Sequence, residues 1–211
     1  MEAQLTYLQD IQSIGAGVDA QELLRHLIKE RFPGKTVVTA SLRAPSIVVL
    51  KMISDIDRDT PVIFCHRPPA FEESVEYRAK IIDLLGLRNY TLNEGHETKV
   101  RPGDIDHCEN MWVHYRDMPG SSHQLLHLND ALAPYSCWIS AVYHFGSEPS
   151  TVRTRVDIEG RLTKVHPLYG WTKDDVAKFM QANKLPWHKL AARSFDYEGR
   201  NDGVTYPLYQ F

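Results

Sequence analysis

The pattern of apolar and polar positions changes period several times along the chain, and each change marks an element. Val37 and Val38 lie in a short β-branched run, and a tight loop follows at 41–45. Ile47, Leu50, Met52 and Ile53 then recur at helical spacing, with Ser46 placed to cap that helix. Pro61-Val-Ile-Phe-Cys65 is apolar at consecutive positions rather than at alternate ones. A strand of that kind is buried on both faces, as in a parallel sheet covered by helices.

The same reading extends to both sides. Leu5, Leu8, Ile11 and Ile14 outline a short amphipathic helix ending at Gly15 and Gly17. Asp19 with Glu22 resembles a capping box, and Leu23, Leu24, Leu27 and Ile28 give a helix that stops before Pro33-Gly34. Glu72 to Leu85 reads as a helix with Val75, Ile81, Ile82 and Leu85 inward and Gly86 as its stop; Asn89 to Leu92 reads as a third strand. Residues 93–120 are polar and contain Pro102-Gly103 and Pro119-Gly120, the signature of a lid, a binding loop or a disordered segment. Ser121 or Ser122 caps a helix running to Leu132, and Cys137 to Phe145 is a buried strand. Arg155–Ile158 and Arg161–Val165 form a hairpin turning at Glu159-Gly160. Thr172 and Asp175 box the start of a helix with Val176, Phe179 and Met180 inward.

Strand, helix, strand, helix, strand predicts a three-layer α/β/α fold with a mostly parallel sheet. The expected organisation is a helical segment over 1–34, an α/β domain over 35–190 and a C-terminal tail over 191–211. In such sheets ligands sit beyond the carboxyl ends of the strands. Loops 41–46 and 66–70 both lie there.

Composition narrows the class. Hydrophobic residues make up 43% of the chain and charged residues 24%, an ordinary globular balance. The net charge of −3 gives no basic field for nucleic acid, while leaving room for a local cationic pocket. No apolar run approaches the roughly 20 residues of a membrane span. The first residues lack a basic-then-apolar signal pattern, so the expected location is the cytoplasm. Cys65, Cys108 and Cys137 are odd in number and never spaced Cys-x-x-Cys, which argues against a disulfide framework or a tetrathiolate metal site.

Candidate chemistry gathers at the strand ends. Ser41, Arg43, Ala44 and Ser46 form a loop suited to an anion at a helix start; the alternative is a plain strand–helix turn. Arg43, Arg67 and Arg153, with His66, would line a cationic pocket for phosphate or carboxylate. Cys65 ends a strand beside His66 and Arg67, a setting that lowers a thiol pKa and makes a nucleophile; the alternative is a small buried hydrophobe. Cys108, between His107 and Glu109, is a second candidate thiol, and Cys137 reads as core. His123 and His127 share a face if 121–132 is helical, and a metal there needs a third ligand from His107, His114 or Asp106. No metal is expected. Trp138, Tyr143 and Phe145 read as core rather than as a base-stacking platform.

Three stretches resemble the sulfonucleotide reductases, which reduce phosphoadenosine or adenosine phosphosulfate on an adenine-nucleotide alpha-hydrolase-like fold. Ser41-Leu-Arg-Ala-Pro-Ser46 sits where that family has its phosphate loop. Asp57-Arg-Asp-Thr-Pro-Val-Ile-Phe64 with Phe71-Glu-Glu-Ser74 matches a second motif. Lys164-Val-His-Pro-Leu-Tyr-Gly-Trp-Thr-Lys-Asp-Asp-Val176 with Leu185-Pro-Trp-His-Lys-Leu190 matches a third. The resemblance implies an adenine nucleotide or sulfonucleotide, or another phosphate-bearing ligand, in the strand-end crevice. Leu42 and Arg43 replace small residues of the family's loop, Pro45 removes an N–H donor, and Arg43 offers a side-chain fork in exchange. The family's Asp-Thr-Gly after the second strand is His66-Arg67-Pro68 here. The family's nucleophile lies in a Glu-Cys-Gly-Leu-His segment, and no cysteine follows Cys137 in this chain. The paired cysteines that hold an iron–sulfur cluster in one branch are also absent, so no cluster is expected. The reactive thiol would come from Cys65, Cys108 or a thiol-donor protein. The alternative is a nucleotide-binding regulator without reductase chemistry, or a scaffold subunit whose aromatic tail 195–211 serves a homo-oligomer.

Overall fold

The computed structural model describes Ser13 and residues 18–66, 72–94, 96–97, 123–124, 131–140 and 154–189. Strands β1 (Thr36–Ala40), β2 (Val62–His66), β3 (Tyr90–Glu94), β6 (Cys137–Ser140), β7 (Val156–Glu159) and β8 (Leu162–Val165) form one sheet in the order β3-β2-β1-β6-β8-β7. All neighbouring pairs are parallel except β7–β8, a hairpin through Gly160 and Arg161. Two further short strands, β4 (His96–Glu97) and β5 (His123–Gln124), pair antiparallel with each other. The doubly wound α/β expectation is therefore met.

Helices α1 (Ala20–His26), α2 (Ala44–Ile56), α3 (Glu72–Leu85) and α4 (Lys173–Ala182) all contribute to one core on one face of the sheet. Two right-handed crossovers in the same direction, β1-α2-β2 and β2-α3-β3, require that placement. A single π-helical turn, Leu27–Arg31, extends α1. The order then reverses: β6 lies on the other side of β1. A second apolar cluster occupies the opposite face, with Leu132 packed beside Val37, Ile63, Trp138 and Leu162. Arg161 fixes that layer, donating from Nη1 to the Tyr135 carbonyl at 2.7 Å and from Nη2 to the Leu132 carbonyl at 2.9 Å.

The sequence pattern gives α2 one apolar side, but the helix is buried nearly all round. Val48 and Val49 are as inaccessible as Ile47 and Ile53, because α1 and α4 pack over the side facing away from the sheet. A narrow strip remains outside, where Lys51 and Asp55 pair at 2.6 Å. In α3 the pattern assigns one residue wrongly: Ile81 and Leu85 are buried and Ile82 packs at the core margin, but Val75 is largely exposed. Gly86 ends this helix at φ +61°, where a Cβ would also meet the Arg58 Nη1 at 3.3 Å. The predicted cap of α1 is present, Asp19 Oδ1 accepting from the Glu22 N–H at 2.8 Å. The Thr172–Asp175 capping box of α4 is complete.

The helix expected from Ser121 or Ser122 to Leu132 does not hold near its start: His123 and Gln124 lie in β5, paired with Glu97 and His96, a tertiary partner that local pattern cannot show. Ala131 and Leu132, at its expected end, are helical, and 125–130 fall outside the described residues. The expectations for residues 1–12, the body of loop 98–122, Tyr143, Phe145 and the tail 191–211 fall outside the described residues.

Candidate functional site

The carboxyl end of β1 feeds the loop 41–46 and the first turn of α2. Strand order reverses beside β1, between β2 on one side and β6 on the other. The crevice of a doubly wound sheet opens at such a reversal. The sequence reading placed the crevice between the loops after β1 and β2; the topology centres it on β1 and β6. Thr39 and Ser140 are register partners at the floor of this point, so two hydroxyl residues end the two strands that part there. Thr39 Oγ1 accepts from the Trp138 indole N–H at 2.8 Å, and the Lys164 Nζ lies 4.1 Å from the centre of the Trp138 ring. These four residues were not singled out as a group from sequence. The signal available was the hydroxyl residue late in each strand, Thr39 in Val-Val-Thr-Ala and Ser140 in Cys-Trp-Ile-Ser. The buried Trp138 agrees with its assignment to the core.

Within the loop, Ser41 and Ser46 come together. The Ser41 N–H donates to Ser46 Oγ at 3.1 Å, the two hydroxyl oxygens lie 3.0 Å apart, and the Arg43 N–H donates to Ser41 Oγ at 3.3 Å. Ser46 therefore does not cap α2 from outside. The helix begins two residues earlier, at Ala44, with Arg43 as its N-cap and no side-chain capping bond. Pro45 explains the early start, since its fixed φ favours the first helical turn and its missing N–H would have no intrahelical acceptor there. The N–H groups of Ala44 and Ser46 are first-turn donors without i−4 partners, no acid occupies that turn, and the positive end of the helix dipole faces the loop.

The replacement of small residues in this loop carries less cost than the sequence suggests. Leu42 is buried in the main core, so its side chain is drawn inward. Arg43 sits at φ −79° and ψ 152°, ordinary extended backbone, and the one non-glycine residue with positive φ among the described residues is Lys184. No position in 41–46 demands glycine. The arrangement offers an anion two amide donors, two hydroxyls and a guanidinium on one loop.

Cys65 lies one residue beyond the last β1–β2 register pair, Ala40 with Phe64, which brings it to the crevice end of β2. Its chemistry is the reverse of the activated thiol expected. The side chain packs against the second apolar cluster, Sγ approaches the Ile63 carbonyl at 3.8 Å, and burial pushes the thiol pKa up to about 12. Cys137 is fully buried and its pKa is likewise pushed up to about 12, in keeping with a core role. His66 is the last residue of β2, paired in register with Glu94. Arg67, Cys108, His127 and Arg153 lie outside the described residues. His123 stands in a strand, which removes the shared helical face on which a His123–His127 metal pair depended. Among the described residues no group of three His, Cys, Asp or Glu side chains converges, and no helix is long and apolar enough to cross a membrane.

One buried pair outside the crevice was legible only as part of a motif. His188 Nε2 meets Ser74 Oγ at 3.2 Å, both side chains being inaccessible, and the imidazole stacks edge-on to Tyr77 at 4.8 Å. Tyr77 donates its hydroxyl to the Pro186 carbonyl at 2.7 Å. These contacts join Ser74 of the Phe71-Glu-Glu-Ser74 stretch to the Leu185-Pro-Trp-His188 stretch. Two of the three stretches that carry the family resemblance thus serve to lock α3 against the segment after α4.

Comparison with known proteins agrees with this architecture. Residues 35–199 match the family model for the phosphoadenosine phosphosulfate reductase domain. An adenosine 5′-phosphosulfate reductase of Mesorhizobium japonicum is 27% identical over 187 residues, covering 85% of this chain and 73% of the relative. A phosphoadenosine 5′-phosphosulfate reductase of Alkalilimnicola ehrlichii is 24% identical over 177 residues, covering 83% of this chain and 72% of the relative. The crystal structure of a phosphoadenylyl-sulfate reductase from Candida auris, a phosphate complex, superimposes with a TM-score of 0.62 at 14% identity, covering 89% of this chain and 90% of the other, a likeness of fold. With the family model spanning most of the chain, this protein belongs to the phosphoadenosine phosphosulfate reductase family.

Proposed function

We propose that the chain binds an adenosine phosphosulfate-type nucleotide in the crevice beyond β1, with loop 41–46 as the site of its anionic end. The observation that carries this reading is the joined Ser41–Ser46 hydroxyl pair at the first turn of α2, beside the strand-order reversal. The substrate class comes from the relatives, which are named as adenosine 5′-phosphosulfate and phosphoadenosine 5′-phosphosulfate reductases. Ser41, Ala44 and Ser46 supply hydroxyl and amide donors. Arg43 supplies a fork for the phosphate, with Arg67, Arg153 and His66 as the further cationic and polar groups of the site.

Reduction needs a thiolate that attacks sulfur, forming an S–S bond while the S–O bond to the nucleotide breaks and its electrons leave with the phosphate oxygen. Cys65 is unsuited to this because its burial keeps the proton on. No cysteine follows Cys137 in these 211 residues. Among the cysteines of these residues Cys108 is the candidate for the attacking thiol, and a thiol-donor protein is the other source.

Thermal unfolding at low salt with AMP, ATP, adenosine 3′,5′-bisphosphate, adenosine phosphosulfate and its 3′-phosphorylated form tests the binding site. A ligand at 100 times its dissociation constant stabilises by about 2.7 kcal/mol. In a chain of this size that raises Tm by roughly 5–10 °C. Arg43→Ala should remove most of the shift. If none of the five raises Tm at millimolar concentration, the nucleotide reading fails. Turnover lost in Cys108→Ser would assign the thiol to this chain. Turnover that survives and requires an added dithiol would assign it to a donor. Binding without turnover under either condition would leave a nucleotide-binding regulator.

A further inference from the structure

The end of β1 presents different chemistry to the two faces of the sheet. The loop 41–46, with its hydroxyls, amides and guanidinium, leads onto the face that carries α2. Two residues before that loop, Thr39 lies on the other face. Strand alternation puts it on the side of Val37, whose register partner is Trp138, and both of these belong to the second apolar cluster. About 7 Å of strand separates Thr39 from Ser41. Thr39 is half-buried, while Trp138 beside it is only 5% exposed.

The bond between these two residues fixes a polarity. An indole N–H can only donate, and it gives its hydrogen to Thr39 Oγ1 at 2.8 Å. A hydroxyl has one hydrogen of its own. With Trp138 occupying an acceptor position of Thr39, that hydrogen is directed away from the indole, and among the described residues no acceptor takes it. The indole is held in place by its packing with Val37, Ile63, Leu132 and Leu162. Lys164 reinforces the arrangement. Its Nζ lies 4.1 Å from the centre of the Trp138 ring, where a cation draws on the π density and makes the N–H a better donor. The result is a neutral donor of set direction at the crevice end of β1. The charged and amide donors stand on the loop, where the anionic end of a nucleotide is taken. The neutral end of an adenine nucleotide is its base, and ring nitrogens N1, N3 and N7 are acceptors that carry no hydrogen.

We propose that Thr39 is a specificity-determining residue for the base: its hydroxyl donates to one ring nitrogen of adenine, and Trp138 is the positioning residue that holds it as a donor. The inference rests on the nucleotide reading above and adds the other end of the ligand to it. A nucleotide with its anionic end on loop 41–46 then straddles the end of β1, with its base toward the second face. The floor selects by hydrogen-bond polarity rather than by charge. A base that presents a C–H or an N–H at that position leaves the Thr39 donor unpaired in a half-buried place, which costs affinity. Thr39 cannot adapt by turning to accept, because Trp138 already fills that role.

Titration calorimetry of the full chain tests it, with adenosine phosphosulfate and its 1-deaza, 3-deaza and 7-deaza forms, in each of which a C–H replaces one ring nitrogen. One of the three should bind the wild type about five- to tenfold more weakly than the parent nucleotide. Thr39→Val keeps a β-branched residue in the strand and removes the hydroxyl. It should bind the parent more weakly by about the same factor and be indifferent to that one deaza change. Thr39→Ser keeps the hydroxyl and should keep the penalty. Trp138→Phe frees the hydroxyl to turn, so the penalty should shrink, which loss of packing alone would not produce. Circular dichroism verifies the folding of each variant. Three deaza forms that all bind the wild type as the parent does overturn the proposal, and that arm needs no variant. A penalty that persists in Thr39→Val also overturns it. So does a Thr39→Val that weakens the parent while every deaza effect stays as in the wild type, since Thr39 would then serve the ribose or the phosphate. A wild type that binds no adenosine phosphosulfate overturns the nucleotide reading and this proposal together, whereas the other outcomes leave that reading standing.

Discussion

At the scale of single residues, burial outweighs neighbourhood in deciding what the cysteines do. The sequence sets Cys65 beside His66 and Arg67, and adjacency to cations suggested an ionised thiol. The fold turns Cys65 onto the apolar second face with Ile63, where the neutral form is favoured and its pKa rises from 9.0 to about 12. At pH 8 such a thiol is held almost wholly in its neutral form. Alkylation by iodoacetamide under native conditions should therefore be slower at Cys65 than at a free model thiol by about two orders of magnitude or more, and Cys65→Ser should keep nucleotide binding. Rapid modification of Cys65, read by mass spectrometry, would sink this account. Cys137 carries the same shift in a fully buried position. Its folded pKa lies above its unfolded one, so its contribution is constant below pH 9. Between pH 9 and about 12 the unfolded chain has lost a proton that the folded chain retains, and stability falls as pH rises. Cys65 shares this shift, so denaturant titrations above pH 9 should show a combined loss, of which Cys137→Ala removes one share, up to about 1.4 kcal/mol per pH unit.

Among the elements, what local pattern revealed and what it hid divide along one line. Caps, stops and strand–helix alternation depend on residues within a few positions of each other, and they were readable. Asp19, Gly86 and the Thr172–Asp175 box stand where the spacing put them. Thr172→Ala should cost about 1 kcal/mol in urea unfolding without changing the dependence on denaturant, since one cap is lost and the buried surface is kept. Features set by distant partners were not readable. Val75 fits a helical stripe but faces an open groove, because α3 sits at the sheet edge and no element among the described residues lies beyond it. His123 fits a helical pattern yet pairs with Glu97. Ser46 looks like an N-cap until Pro45 pulls the helix start back to Ala44. At the candidate site the loop, its two serines and its arginine were legible, since each follows from its place between β1 and α2. The floor of Thr39, Ser140, Trp138 and Lys164 was not, because a strand order that sets residue 39 beside residue 140 is no local property.

For the molecule as a whole, the order β3-β2-β1-β6-β8-β7 separates two regions that compete as candidates for the ligand site. One is the reversal between β1 and β6, where the Ser41–Ser46 pair and the start of α2 lie; the other is the β3 edge with its exposed groove. The second is an opening lined by exposed apolar side chains, and apolar openings are where small molecules are usually sought. A phosphosulfate nucleotide has a different first requirement: anion donors at a helix start. The β3 groove has no helix N-terminus, and its Arg88 is already held by Asp59. Hydrogen exchange of the full chain, with and without saturating adenosine phosphosulfate, distinguishes the regions directly. The amides of Ser41, Arg43, Ala44 and Ser46 should slow with nucleotide present, as should those ending β1 and β6, whereas Tyr90–Glu94 should exchange at an unchanged rate. Nucleotide-dependent slowing confined to β3 and α3 would move the ligand to the groove and leave loop 41–46 as a plain turn between a strand and a helix.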